Sequence, residues 1–256
     1  MRASGEWSQM DRRELLAVAG AAGAGLLAGA AATPGATSAA APAGADRRHT
    51  PSPEHPLRVH VVMFDGAEEQ DFVGPYEVFS LAGGLSGGAV QARYVHVDGP
   101  RTVTAAFGTR VVVEHGWSPR SADVIVVPGG GFRRPDGPGI WPEINQGVLP
   151  RALADARRPG LIISSLCTGA IILAAAGLTS GRPCTTHNGA KAELTARGGV
   201  VKNARVVDDG DLVTAAGITS GLELALHLVR RRVGADLAVR AEEVLEYQAR
   251  GTVWTP

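Results

Sequence analysis

A cysteine stands where an apolar strand meets a helix rich in small residues, a position that suits nucleophilic chemistry. Residues 161–165 are typical of a β-strand, and Cys167-Thr168-Gly169-Ala170 follows closely. Gly169 and Ala170 let the helix begin tightly against the strand, as a nucleophile elbow requires. Unpaired N–H groups and the dipole at a helix start lower the pKa of a thiol. The sequence therefore predicts Cys167 as a nucleophile, the alternative being a small buried hydrophobic side chain.

Three further segments follow the ends of predicted strands. Residues 65–71 follow the first strand, residues 128–131 follow an apolar run at 124–127, and His187 ends a short strand after the elbow helix. The carboxyl ends of parallel strands lie at one edge of a sheet, where ligands bind. We therefore expect these segments to meet Cys167 at one site.

The second cysteine, Cys184, begins the short strand that ends at His187. A rise of about 3.3 Å per residue places it roughly 10 Å from His187, at the opposite edge of the sheet. A disulfide needs Cα atoms within about 7 Å of each other. We therefore expect no bridge between Cys167 and Cys184.

Short apolar runs alternate with helical periods from Leu57 onward, which is typical of βαβ units around a parallel sheet. Strands are predicted over 58–64, 94–97, 124–127, 161–165 and 182–186, and hairpins over 103–113 and 206–213. Helices are predicted over 75–81, 146–157, 171–176, 190–197, 220–232 and 236–248. Pro75 is expected in the first turn of its helix, and Gly83-Gly84 are expected to end it.

The first 53 residues are predicted to be an export signal followed by a disordered spacer. Arg12-Arg13 precede a run of Ala, Gly and Leu over 17–32, which resembles a twin-arginine signal. An ordinary secretory signal or an anchored tail is the alternative. The glycines make the run weakly hydrophobic, so we expect no permanent membrane span. Residues 54–256 are then one catalytic domain of an exported protein, periplasmic or extracellular.

The charge of the chain argues against a nucleic-acid partner. Lys plus Arg and Asp plus Glu both total 25, so the formal charge is zero, and no basic surface is expected for a phosphate backbone. The sequence contains neither a metal-ligand spacing nor a phosphate-binding loop pattern. We therefore predict no cofactor and no metal.

Four motifs together resemble the ThiJ/PfpI superfamily over nearly all of residues 57–235. They are FDGAEEQDFVGP at 64–75, VPGG at 127–130, CTGA at 167–170 and TTH at 185–187. Within the superfamily, these motifs are similar to those of the isonitrile hydratases and of the amidase-like sensor domains of certain AraC-type regulators. Those regulators also carry a C-terminal helix-turn-helix pair, which we do not expect in this chain before Pro256. The resemblance implies a three-layer α/β sandwich of the class I glutamine amidotransferase-like type, with a mostly parallel, flavodoxin-like sheet, and a homodimer.

The resemblance also implies Cys167 as the nucleophile and Asp71 as the acid beside it. Burial and a neighbouring thiolate raise the pKa of a carboxyl, so that Asp71 could donate a proton. The alternative role for Asp71 is an N-cap of the next helix. Thr168 replaces the histidine that protease-like members carry, which argues against peptidase activity.

Three more residues are candidates for the pocket. The N–H groups around Gly129 and Gly130, with that of Thr168, are predicted to form an oxyanion-type pocket, unless these glycines only make the turn. His187 is expected to tune the thiolate or line the pocket, the alternative being a structural histidine.

The function that the resemblance implies is hydration of an isonitrile to an N-substituted formamide. Cys167 attacks the isonitrile carbon, and Asp71 or Thr168 activates the water that follows. We expect a small neutral organic substrate in a neutral pocket. The alternatives are a glyoxalase or deglycase-like hydrolase of reactive carbonyls and a non-enzymatic cysteine redox sensor.

Overall fold

The computed structural model describes residues 50–256. The predicted twin-arginine signal and most of its spacer lie outside the described residues, so export stays a prediction. Residues Thr50–Pro256 form one compact unit. Within this range, no helix has the length and apolar character that crossing a bilayer requires.

The strands of residues 50–256 form a large central sheet and two small pairs. In chain order they are β1 (Leu57–Val62), β2 (Val90–His96), β3 (Arg101–Thr104), β4 (Arg110–Val113), β5 (His115–Gly116), β6 (Val124–Val127), β7 (Ile162–Ser165), β8 (Pro183–Cys184), β9 (Val200–Val201), β10 (Val206–Asp209), β11 (Leu212–Ala215) and β12 (Val253–Trp254). The central sheet has the order β12-β10-β11-β7-β6-β1-β2-β5. Its neighbours are parallel except for β10 and β11, which form the predicted hairpin.

Helices cover both faces of this sheet. They are α1 (Glu69–Leu85), α2 (Ile140–Gln146), α3 (Val148–Asp155), α4 (Gly169–Ala175), α5 (Lys191–Ala196), α6 (Ser220–Arg232) and α7 (Ala235–Val244). Helices α1, α6 and α7 pack against one another, and α2 to α5 form a second packed group. The residues of β6 are all buried, as expected for a strand covered on both faces. The predicted α/β fold with a mostly parallel sheet is confirmed.

The first helix is longer than the sequence predicted. It begins at Glu69, so Pro75 lies inside the helix and not in its first turn. The helix also continues through Gly83 to Leu85. A Cβ at Gly83 would overlap the carbonyl oxygen of Val90, so this glycine allows close packing of α1 on β2 and does not end the helix.

Three other predicted elements differ from the structure. The helix predicted over 146–157 is α3, which spans only Val148–Asp155, and α2 (Ile140–Gln146) before it was not predicted; the two helices are separated at Gly147, whose φ is 71°. The last predicted helix ends at Val244, before residue 248. The strand predicted over 182–186 is only Pro183–Cys184, and it pairs with β9 outside the central sheet. Element ends depend on tertiary contacts, which periodicity does not report.

Candidate active site

Cys167 lies in the tight turn between β7 and α4, and its φ is 50°. A non-glycine residue in this left-handed region costs about 1–3 kcal/mol. The surrounding backbone holds it there. Cys167 N–H donates to the Ala216 carbonyl oxygen at 2.6 Å, while the Thr186 hydroxyl and the His187 N–H donate to the Cys167 carbonyl oxygen at 2.7 and 3.2 Å. These bonds present the side chain at the carboxyl edge of the sheet.

Asp71 brings a carboxyl group to this turn from the first turn of α1. The side chain is fully buried, and its Oδ2 accepts a hydrogen bond from Gly129 N–H at 2.8 Å. The second oxygen, Oδ1, is buried without a conventional hydrogen bond, and the carboxyl interacts with the thiol of Cys167. No cation is among the groups that act on it. The carboxyl and the thiol therefore form an isolated acidic pair.

Burial raises the pKa of Asp71 to about 8, and the charge of Glu68 adds to this. The hydrogen bonds from Gly129 and Cys167 lower the pKa but do not compensate. The expected protonated carboxyl is thus supported. The alternative N-cap role of Asp71 is wrong, because Glu68 is the N-cap residue and accepts a hydrogen bond from Gln70 N–H.

The prediction of a lowered thiol pKa is also wrong. Burial raises the pKa of Cys167, and the charge of Asp71 raises it further. The N–H and the hydroxyl of Thr168 lower it, but their effect is smaller. The physical reason is that the thiol is removed from water beside another acid, which outweighs the start of a seven-residue helix.

The backbone N–H groups of Gly129 and Gly130 hold the side chains of Asp71 and Thr168 in place. Gly130 N–H donates to Thr168 Oγ1 at 3.0 Å, which leaves the hydroxyl proton free to point toward the sulfur. Gly129 N–H already serves Asp71. A Cβ at Gly129 would overlap Thr168, so the close approach requires glycine. Both N–H groups are thus used inside the protein and do not form the predicted oxyanion pocket.

A cavity of about 550 Å³ opens onto Cys167 and Thr168. Glu68, Gly130 and His187 also line it, so the predicted meeting of the four segments is confirmed. Residues that were not predicted contribute as well: residues 106–107, residues 132–134, Gly189 and Ile218. Ile218 follows the end of β11, so the rule used for the other strands would have found it.

His187 lines the cavity, but not as the end of a strand in the central sheet. β8 ends at Cys184, and His187 reaches the site because its N–H binds the Cys167 carbonyl. Its Nδ1 accepts a hydrogen bond from Gly189 N–H at 3.1 Å, which places the proton of a neutral ring on Nε2. The ring also lies against Gly217. A role for His187 in the reaction remains a prediction.

The cavity is not neutral, contrary to the expectation from the sequence. Glu68, Arg133 and Arg134 line it together with the aromatic rings of Phe107 and Phe132. Phe107 is 82% exposed at the tip of the β3–β4 hairpin, where its N–H donates to the Glu69 carboxylate at 2.9 Å. The cavity thus combines apolar walls with charged groups.

Cys184 is separate from this site. Its side chain is fully buried, and both cysteines are free thiols. The predicted absence of a bridge to Cys167 is confirmed. Among residues 50–256, no group of three or more His, Cys, Asp or Glu side chains could hold a metal ion.

Comparison with known proteins places this geometry in a family. The model of the DJ-1/PfpI family matches residues 57–231, most of the described part of the chain. The chain belongs to the DJ-1/PfpI family. It is 33% identical over 192 residues to the isonitrile hydratase of Pseudomonas putida, covering 75% of this chain and 78% of that protein. It is 30% identical over 190 residues to the Parkinson disease protein 7 homolog of Danio rerio, covering 73% and 96%.

A solved structure supports the same assignment. A ThiJ/PfpI family protein from Pseudomonas syringae superposes with a TM-score of 0.68 at 26% identity, covering 83% of this chain and 84% of that one. The resemblance that the motifs predicted is thus confirmed at the level of the family. The hydratase and the zebrafish protein are similar to this DJ-1/PfpI chain to nearly the same degree, so the family does not by itself select an activity.

Proposed function

We propose that this DJ-1/PfpI protein is a cysteine-dependent hydratase that converts an isonitrile to an N-substituted formamide. The observation that carries the proposal is the pairing of Cys167 with a buried carboxyl, Asp71, at an open cavity. The similarity to the isonitrile hydratase of Pseudomonas putida supports this choice of substrate. An isonitrile carbon accepts both a nucleophile and a proton, which are the two groups that this pair offers.

The first step uses the pair after it has lost one proton. Asp71 has the lower pKa of the two groups, so the pair loses that proton from Asp71. The pair then reacts in the form in which the thiol proton of Cys167 has moved to Oδ1 of Asp71, the oxygen that the Gly129 N–H leaves free, beside a thiolate on Cys167. The sulfur attacks the isonitrile carbon and forms the C–S bond, while Asp71 protonates the same carbon. The product is a thioimidate on Cys167, and Asp71 is left as a carboxylate.

The second step adds water and releases the product. The Asp71 carboxylate takes a proton from water as the oxygen bonds to the thioimidate carbon, and it passes that proton to the substrate nitrogen. The C–S bond then breaks, the new hydroxyl returns its proton to Asp71, and the formamide leaves. The thiolate and the protonated carboxyl are restored. The Thr168 hydroxyl, held by Gly130 N–H, stabilises the sulfur as it leaves.

The direct test is incubation of the purified protein with a small isonitrile, followed by detection of the formamide by mass spectrometry. We expect formation of the formamide by the wild type and by Cys184→Ala, whose thiol lies outside the cavity. Cys167→Ala should produce none. A rate for Cys167→Ala equal to that of the wild type would overturn the proposal.

A second candidate function is hydrolysis of reactive carbonyl compounds. The same thiol and acid would suit attack on an aldehyde carbon, because such a carbon also accepts a nucleophile while an acid protonates the oxygen. Both candidates require Cys167, so only the substrate distinguishes them. A panel containing isonitriles, glyoxals and glycated amines would identify the one that is consumed. Release of hydroxy acids instead of formamide would favour this second function.

We also propose that the protein is exported and forms a homodimer. Export rests on Arg12-Arg13 and the apolar run behind them, and dimerisation rests on the resemblance to the superfamily. Fractionation of cells that carry Arg12→Lys together with Arg13→Lys tests the first, since loss of the arginine pair should retain the protein in the cytoplasm. Light scattering of the purified protein tests the second.

A further inference from the structure

Two arginines at the cavity have no partner within the described part of the chain. Arg133 and Arg134 lie between β6 and α2, their side chains are exposed, and both line the cavity that contains Cys167. Neither makes an ion pair or a side-chain hydrogen bond with residues 50–256. Arg101, by contrast, forms an ion pair with Asp65 at 3.0 Å. The two guanidinium groups are therefore available to a ligand.

The segment that carries these arginines is held against the protein. Arg134 N–H donates to the Gly131 carbonyl oxygen at 2.9 Å, which closes a turn. Trp141 Nε1 donates to the Phe132 carbonyl oxygen at 2.8 Å, and the two rings stack with centroids 5.6 Å apart. The backbone on the side of Arg133 that leads to the sheet is thus anchored. The two arginines are therefore carried by a backbone segment that is held beside the cavity.

One acidic side chain opposes them. Glu68 lines the same cavity, but its Oε2 accepts the N–H of Gln70 at 3.0 Å as the N-cap of α1. A carboxylate that caps a helix is partly neutralised by the N–H groups and the dipole it faces. The buried carboxyl of Asp71 is mostly protonated at neutral pH. Among the side chains that line the cavity, positive charge therefore predominates near the two arginines.

We propose that Arg133 and Arg134 select substrates that carry an anionic group, a carboxylate in the simplest case, joined through an apolar body to the reacting carbon. The fork of N–H donors on a guanidinium matches the two oxygens of a carboxylate. Phe107, Phe132 and Ile218 supply apolar walls for the body of such a molecule. The identity of the reacting group rests on the proposed function, whereas the preference for an anion rests on the arginines.

The test compares two substrates that differ only in charge, 4-isocyanobenzoate and its methyl ester. For the wild type we expect kcat/KM to be about tenfold higher for the carboxylate, because two guanidinium groups near the mouth contribute a solvent-screened attraction. The double variant Arg133→Gln with Arg134→Gln should lose this preference through a higher KM. Its rate with the ester should change by less than about twofold. Arg120→Gln, an exposed arginine outside the cavity, is the matched control and should keep the preference.

The inference fails if the wild type treats acid and ester alike, or if the double variant slows both equally. Failure of the proposed function gives a different result, since neither isonitrile is then consumed. In that case the unreactive 4-formamidobenzoate and its methyl ester are titrated by calorimetry. Tighter binding of the acid to the wild type, lost in the double variant, supports the anion preference without any turnover. Equal binding of acid and ester overturns it.

Discussion

The protein contains two buried cysteines whose surroundings differ in almost every respect. Cys167 has a φ of 50°, lines a cavity and faces the carboxyl of Asp71. Cys184 lies in β8, has no exposed surface and belongs to the hydrophobic core. Burial raises the pKa of Cys184 to about 11. The residue type and the burial are shared, so the backbone and the neighbours make the difference.

The carboxylates of β10 show a similar contrast with Asp71. Each of them faces an arginine: Asp209 is 2.6 Å from Arg182, and Asp208 is 2.8 Å from Arg231 and also 2.7 Å from the ring of His227. Burial alone would raise the pKa of Asp208, but His227 and Arg231 lower it. Asp71 has no such partner and keeps a raised pKa.

This difference separates a site that can react from one that stabilises the fold. A buried acid without a cation weakens the folded state and stays protonated, which makes it able to give a proton. A buried carboxylate with a cation has its charge compensated and has little tendency to react. Substitutions on the two sides should therefore have opposite effects on activity and stability.

The largest expected effect is that of Cys167→Ala on turnover. Removal of the nucleophile should lower kcat by at least about 1,000-fold, because the C–S bond cannot form. The fold should survive, since alanine is smaller and the turn is held by backbone bonds. Single-turnover kinetics with a small isonitrile and a thermal melt measure both. Equal kcat in the variant and the wild type would contradict the proposed role.

Asp71→Asn comes next, with an expected loss of about 100-fold or more in kcat. The amide can still accept the Gly129 N–H but cannot donate an acidic proton to the substrate. The wild-type rate should rise with pH toward about 8, where the pair loses its first proton. A pH profile of kcat/KM measures this, and an Asp71→Asn enzyme with the same rate and profile would remove Asp71 from the mechanism.

Asp71 and Asp208 should affect the pH dependence of stability with opposite signs. The folded pKa of Asp71, about 8, lies above the ordinary value of 3.8, so the folded state binds an extra proton between these values and loses stability as pH rises. The loss is on the order of 4 kcal/mol between pH 4 and pH 8. Asp71→Asn removes this penalty. The free energy of unfolding of the variant should therefore exceed that of the wild type by an amount that grows as the pH rises from about 4 to about 8.

Asp208→Asn is the matched control for this measurement. The pKa of Asp208 is lower in the folded state than its ordinary value of 3.8, so its carboxylate stabilises the folded state at pH values above 3.8. This stabilisation is lost as the pH falls through the folded pKa. The variant should therefore be less stable than the wild type at pH 7, and the gap should shrink in acid. Urea titrations at pH 5 and pH 8 test Asp71→Asn, whereas titrations at pH 7 and at about pH 3 or below test Asp208→Asn, because its linkage lies below the ordinary pKa of 3.8. A pH-independent gap for Asp71→Asn would mean that Asp71 ionises as in an unfolded chain.

Cys184→Ala should cost about 1–2 kcal/mol of stability and leave kcat unchanged. Loss of a fully buried sulfur leaves a small cavity where Cys184 packs near Gly199 and Leu194. Urea unfolding and the isonitrile assay check the two halves of this expectation. A large drop in activity with unaltered stability would reverse the comparison between the two cysteines.

The smallest expected effect is on thiol alkylation. Iodoacetamide should modify Cys167 before Cys184, because only Cys167 faces the cavity. Since the charge of Asp71 raises the pKa of Cys167, Asp71→Asn should speed the alkylation of Cys167 at pH 8 by about fivefold. Peptide mapping by mass spectrometry gives the rates. A slower reaction in the variant would show that Asp71 assists ionisation of the thiol.

Much of the fold followed from local patterns. Apolar runs such as Val124–Val127 predicted buried strands, and the hairpins at 103–113 and 206–213 were placed correctly. Helix ends were predicted less well. Pro75 and Gly83 are ordinary signals of a helix boundary, yet both lie inside α1, where Gly83 packs closely on β2 and Pro75 packs against Gly221 of α6.

The candidate site was predicted in part. The rule that strand ends meet brought Cys167, Gly130 and His187 together, and the resemblance added Asp71. The segments at 106–107 and 132–134 were missed, since neither follows directly from a strand end in the central sheet. The sequence carried no clear signal for Phe107, because single apolar residues in turns are common on protein surfaces and its exposure is a property of the tertiary structure.

The alternation of strands and helices, the family, and the residue types available for chemistry can be read from the sequence, because they depend on periodicity and on short motifs. The protonation of the acids, by contrast, follows from the folded arrangement. Whether a carboxyl is buried with a cation, as Asp208 is, or without one, as Asp71 is, depends on residues far away in the chain. The pKa of the Cys167 thiol also depends on distant residues. Its position at a helix start predicted a lowered pKa, but burial and the neighbouring acid raise it.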